Sequence, residues 1–359
     1  MNKVYKFVLG IGLIILFLAF GKERLNASST GSNDKDIYFY NWGDYVDPEI
    51  LSDFEKETGY KIIYETFDSN EAMMAKIEQG KTHYDLAFPS EYTVEMMREK
   101  GLLKKLDHSK IKGLENIDDR FLDQVYDPGN EYSLPYFWGT FGIIYNTEKY
   151  DEKDVDSWKK LWDPKFKGEI LSFDGARETL GIGLLAEGYD LNEKDEKILR
   201  KVKNDLVPFM ANVKALLADE IRMYMAQNEA DIGITFSGEA AKAEAINDKL
   251  AYTIPKEGSN IWFDTMVIPK TSKNQEGAYA LISYLLRPEV AAKNADYIHY
   301  ATPNKKALEL INPLARADKT LYPDDDIIKK LIVFKNLGKE TTILYNDLFL
   351  DLKIAPQAE

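Results

Sequence analysis

Apolar and polar positions alternate in blocks along the first hundred residues. Ile37-Tyr38-Phe39-Tyr40 is strand-prone, and beyond a polar turn Asp47-Pro48-Glu49 sets an N-cap with proline at the first helical position. An amphipathic helix follows, carrying Ile50, Leu51 and Phe54 on one side, with Gly59 placed to end it. Lys61 to Thr66 predicts a second strand, Ser69 to Gln79 a second helix, Tyr84 to Phe88 a third strand and Glu91 to Lys100 a third helix. The order is βαβαβα.

Such alternation demands right-handed crossovers, hence a mainly parallel sheet covered by helices. Ligands of these sheets bind beyond the carboxyl ends of the strands. The first strand runs into Asn41-Trp42-Gly43-Asp44-Tyr45 and the third into Pro89-Ser90-Glu91-Tyr92, so aromatic and polar groups share one rim. A second α/β section starts near Gly139 to Tyr145. It contains strands at Glu169 to Phe173 and Asp231 to Phe236, and helices at Ala176 to Glu187 and Glu193 to Lys203. Its strand ends are polar too, at Asp174-Gly175-Ala176-Arg177-Glu178 and Ser237-Gly238-Glu239. Trp262 to Ile268 is strand-like, and Asn274 to Leu286 is helical up to Arg287-Pro288. There is no internal repeat.

A length of 359 residues exceeds one ordinary core and points to two domains. Apolar residues at 45% and charged residues at 30% fit a globular chain and exclude a disordered or collagen-like one. Residues 1–33 differ from the rest. Lys3 and Lys6 precede an apolar run from Phe7 to Gly21, followed by Lys22, Glu23 and Arg24, which is the layout of a signal peptide or an uncleaved N-terminal anchor plus linker. Asn26-Ala27-Ser28 is a weak candidate for a cleavage site, because Leu25 stands where a small residue is preferred. The absence of cysteine excludes a lipid-modified cysteine, disulfides and thiol chemistry. The whole chain carries a net charge of −14, and residues 1–33 hold four basic residues and one acid, so the remainder stands at −17. That field repels nucleic acid and anionic lipid and favours cationic ligands.

Acids and aromatic rings gather at the predicted strand ends. Trp42, Asp44, Tyr45, Tyr92, Glu178, Phe236, Trp262, Asp264 and Tyr300 offer carboxylates spaced between flat apolar walls. A flexible methylene chain bearing ammonium groups needs that combination. Each residue also has an ordinary reading. The rings fit a core, the acids fit a solvated surface, and Glu178 fits the first turn of its helix, with Arg177 as a structural partner.

Several segments resemble the periplasmic or surface-anchored spermidine/putrescine-binding proteins of polyamine ABC transporters. They are Tyr38-Phe39-Tyr40-Asn41-Trp42-Gly43-Asp44-Tyr45-Val46, Asp85-Leu86-Ala87-Phe88-Pro89-Ser90-Glu91-Tyr92 and Leu134-Pro135-Tyr136-Phe137-Trp138-Gly139. Asp174-Gly175-Ala176-Arg177-Glu178, Trp262-Phe263-Asp264 and Tyr300-Ala301-Thr302-Pro303-Asn304 complete the set. The likeness runs from about residue 36 to the C-terminus.

The resemblance implies a two-lobed periplasmic-binding-protein-like fold of type II, α/β, with each lobe a mainly parallel sheet flanked by helices and the ligand in the cleft between. Lobe 1 would comprise 34–140 and 263–308, and lobe 2 would comprise 141–262 and 309–359, with crossings near Gly139 to Gly142, Trp262 and Leu308. Trp42, Tyr45, Trp262 and Tyr300 would box the methylene chain, with Tyr92 adding a wall or a hydroxyl. Asp44, Glu178 and Asp264 would take the ammonium groups, and Ser90 would add a hydrogen bond. The implied protein is an extracytoplasmic solute-binding protein, not an enzyme. It would deliver spermidine or putrescine to an ABC permease without cofactor or metal, and touch the membrane only through an uncleaved N-terminal segment.

Two positions depart from that pattern. Some relatives carry a second carboxylate where this chain has Gly175, and a tryptophan where it has Phe236; Asp174 is the neighbouring acid that can compensate. A glutamine used by relatives is not evident around Phe334.

Two rival classes share part of the signature. Glycosidases set paired acids about 5–10 Å apart across a sugar bond, and sugar or other cation receptors use aromatic platforms. Against an enzyme, the chain has no phosphate-binding loop, nucleophile elbow or zinc-type histidine pair, and His83, His108 and His299 are widely separated.

Overall fold

A computed structural model describes residues 34–354, so the signal-peptide and linker expectation for 1–33 lies outside the described residues. Nine strands follow in order among the described residues. They are β1 (Asp36–Trp42), β2 (Lys61–Phe67), β3 (Leu86–Ala87), β4 (Ser133–Asn146), β5 (Ile170–Phe173), β6 (Val213–Leu217), β7 (Ile232–Phe236), β8 (Leu250–Thr253) and β9 (Ile261–Val267).

The local signals act as their chemistry requires. Asp47 caps the helix Pro48–Thr58 by accepting from the Glu49 amide, and Gly59 ends it at φ 72°. Ser69 caps Asn70–Gln79 through the Ala72 amide, and Gly80 closes that helix at φ 64°. Asn274 caps Gln275–Leu285 through the Gly277 amide.

Two sheets form. In the first, β1 pairs in parallel with β2 and β3, and β9 lies antiparallel between β3 and β4. In the second, β5 pairs in parallel with β6 and β7, while β7 and β8 flank the end of β4 antiparallel to it. The parallel parts are thus joined by antiparallel strands. Each sheet has its own core. Ile37, Phe39, Phe54 and Ile282 belong to the first, and Ile143, Trp158, Leu180 and Phe209 to the second.

β4 belongs to both sheets, and all fourteen of its residues are buried. It pairs with β9 as far as Thr140 and with β7 from Phe141, so the strand passes from one sheet to the other at that step. Two further segments pass beside it. The Phe141 amide donates to the Asn260 carbonyl at 3.1 Å, and Ile332 donates to the Ser259 carbonyl at 2.9 Å while accepting from Ile261 at 3.1 Å. Leu308 packs against the first core together with Ile311 and Tyr322, ahead of the step at Ile332.

Candidate functional site

The site begins with one carboxylate. Asp264 is 7% exposed, and burial pushes its pKa up to about 6 against the pull of two hydroxyl bonds. Ser90 Oγ donates to Oδ1 at 2.7 Å, and Tyr45 Oη donates to Oδ2 at 2.7 Å. The polar chain runs on from there. Asn70 Nδ2 donates to both Ser90 Oγ and Tyr92 Oη at 3.0 Å, and its Oδ1 accepts from the Ser90 amide. Among the described residues no lysine, arginine or histidine forms an ion pair with Asp264 or Glu178.

Aromatic rings enclose this acid. The Tyr300 ring centroid lies 5.3 Å from Trp262 at 65° and 5.5 Å from Tyr45 at 74°, both edge-to-face. Phe236 closes on the other side of Trp262 at 6.1 Å and also packs on Phe141 and Phe173. Trp262 fits because Gly139 lies behind it: a Cβ there would stand 2.5 Å from the indole. The indole nitrogens of Trp262 and Trp42 are buried with no partner among the described residues. Trp262 packs in the first core, whereas Phe236, at the end of β7 in the second sheet, touches both cores.

Residues 49–322 match the model of the bacterial extracellular solute-binding proteins. The chain belongs to that family. It is 40% identical to the spermidine/putrescine-binding periplasmic protein of Escherichia coli strain K12, over 94% of this chain and 97% of the relative. Among solved structures it resembles a putative spermidine/putrescine ABC transporter protein from Listeria monocytogenes. The TM-score is 0.84 with 51% identity, covering 89% of this chain and 99% of the other. A spermidine/putrescine ABC transporter substrate-binding protein from Streptococcus pneumoniae gives 0.83 and 50% over the same shares. The two-lobed periplasmic-binding-protein-like architecture is therefore the fold of this solute-binding protein.

The remaining candidates lie around that centre. Glu178 sits in the first turn of the helix Ala176–Ala186, and burial raises its pKa while Arg177 opposes the rise. Its carboxylate occupies the space above Gly175, where a Cβ would stand 2.0 Å from Oε2. Tyr92 feels both Glu71 and Glu178, which, after burial, hold its hydroxyl far above the usual range. Arg177 turns away from the cleft, donating to the Lys335 carbonyl and Asn192 and stacking on Phe334 at 4.2 Å. Asp174 does not take over at Gly175, because it is exposed and bonded to Lys353 at 2.7 Å. Asp44 stands exposed on a left-handed turn at φ 47° and makes no bond to the cluster. Trp42 is half-buried and packs on Phe67 at 4.5 Å.

Three further polar residues of this solute-binding protein, to which the sequence assigned no role, join the site. Asn70 is the hub between Ser90 and Tyr92, yet a helix-start asparagine looks like a surface group. Glu91 is 1% exposed and accepts the amide of Phe263, between Trp262 and Asp264, at 2.9 Å. Burial, assisted by the nearby Asp264 charge, pushes its carboxyl up to about 8. Glu239, 3% exposed, accepts from Tyr300 Oη at 3.2 Å. An open depression of about 600 Å³ between Phe54, Tyr60, Tyr279 and Tyr284 shares no residue with the site, and its flanking charges Lys110 and Arg287 are already paired with Glu276 and Glu57.

Proposed function

We propose that this protein captures a polyamine such as spermidine or putrescine outside the cytoplasmic membrane and presents it to an ABC permease. One observation carries the reading: a buried carboxylate, Asp264, with no cationic side chain paired to it among the described residues and with rings on its flanks. A buried acid lacking a counter-charge is costly, and a ligand ammonium supplies that charge. The two hydroxyls use only part of the carboxylate's lone-pair capacity, so acceptor sites remain for an N–H donor.

Magnitudes divide the work between acids and rings. One ammonium–carboxylate pair gains about 4 kcal/mol at an effective dielectric of about 20, much of it cancelled by desolvation. Burying four methylenes adds about 3 kcal/mol, and each cation–π contact about 0.5–2 kcal/mol. The rings of Tyr45, Trp262 and Tyr300 therefore set much of the affinity, with Trp42, Tyr92 and Phe236 extending the wall. Asp264 and Glu178 set charge and spacing, and Asp44 acts at the rim. The similarity to spermidine/putrescine-binding proteins supports the same ligand class. A hinge at residues 140–141, 259–261 and 332 lets the two lobes close over the ligand. No helix among the described residues is long and apolar enough to cross a membrane.

Calorimetric titration with spermidine, putrescine, lysine and maltose tests the reading. Saturable binding of a polyamine that weakens as salt rises is expected. Heat with maltose and none with either polyamine would overturn it.

A further inference from the structure

Tyr300 packs with the first core, yet its ring lies on the helix Ser237–Ile246 of the second lobe. A Cβ at Gly238 would fall 1.4 Å from Tyr300 Cδ1 and Cε1, so the ring rests directly on bare backbone. Nothing in the local conformation calls for glycine there, since Gly238 is absent from the residues with positive φ and lies inside a helix, where alanine is the better former. The approach of the ring accounts for it.

Polar groups complete the contact. Tyr300 Oη donates to Glu239 Oε1 at 3.2 Å, and Lys242 Nζ stands 5.0 Å from the ring centroid. Glu239 is already balanced within its own lobe by Arg222 at 3.0 Å and Lys242 at 2.8 Å. It is therefore a neutralised acceptor that costs little to cover. The other edges of the same ring pack on Trp262 and Tyr45, beside Asp264.

Resting on the ligand reading above, we propose that Gly238 and Glu239 form the seat on which Tyr300 docks as the lobes close, acting as positioning residues that set how tightly the captured amine is held. The seat joins the wall of the site to the closure of the two lobes, so a fault in either weakens capture.

Gly238→Ala and Tyr300→Phe separate the seat from the ligand reading, measured by calorimetry with spermidine and by small-angle X-ray scattering at saturating spermidine. Gly238→Ala should bind roughly tenfold to a hundredfold more weakly and keep a larger radius of gyration than the liganded parent. Its ligand-free melting temperature should equal or exceed the parent's. Tyr300→Phe, which removes only the hydroxyl, should bind about three- to tenfold more weakly. Parent-like affinity and compaction in Gly238→Ala would overturn the seat, as would weaker binding accompanied by a lower ligand-free melting temperature. A parent that ignores spermidine would overturn the ligand reading instead, and that result is visible without any variant.

Discussion

Tyr45 and Asp264, 219 positions apart in sequence, meet through a 2.7 Å hydrogen bond in which the phenol donates to a buried carboxylate. That bond orients the acid without neutralising it, so the charge stays available for an ammonium ligand.

Asp264→Asn should therefore weaken polyamine binding by about 2–5 kcal/mol, the range for losing one partner of a buried charge pair. Stability should move the other way. The unfolded chain releases this proton near pH 3.8 and the folded protein near 6, so ionisation costs the ligand-free fold on the order of 3 kcal/mol above that window. Calorimetry and thermal melts at pH 7 check both halves, with weaker binding and an unchanged or higher melting temperature as the joint outcome.

Binding should be linked to protons. Below pH 6 the folded, ligand-free Asp264 holds its proton, and an ammonium must displace it. Affinity is expected to fall as pH drops through 6. Titrations near pH 5.5 in buffers of differing ionisation heat should report proton release on binding, and Asp264→Asn should abolish that component.

Trp262→Ala should cost affinity for every polyamine by a similar factor, because the indole contacts methylenes that all of them carry. A loss of about 1–3 kcal/mol follows from lost burial and cation–π contact. A purely length-dependent loss across putrescine and spermidine would contradict a wall at this position.

Glu91→Leu strands the Phe263 amide in the interior and should lower stability by about 1–3 kcal/mol, whereas Glu91→Gln keeps an acceptor and should lie close to the parent. Denaturant titration of both variants distinguishes the role of the acceptor from that of the charge.

Much of the scaffold was legible because local chemistry and final structure agree. Asp47, Ser69 and Asn274 cap the helices they were placed to begin, and the turns after β1, β3, β5 and β7 do carry the polar groups. Tyr45 bonds Asp264 and shares the first core with Trp262. What sequence did not disclose is direction. Asp44 and Asp264 look alike as acids beside aromatics, yet one stands in solvent on a left-handed turn and the other is sealed by two hydroxyls. The role of Glu91 was not legible because its partner, the Phe263 amide, lies 172 positions away. Gly238 carried no visible signal, since a glycine reserved for a ring from the opposite lobe shows no local turn or cap.

A crystal structure of the protein with spermidine tests the central claim most directly. The account predicts an ammonium nitrogen within about 3 Å of the Asp264 carboxylate, with the methylene chain held among Trp262, Tyr300 and Tyr45. Spermidine seated instead in the depression beside Phe54 and Tyr284, with Asp264 still bonded only to Ser90 and Tyr45, would contradict it.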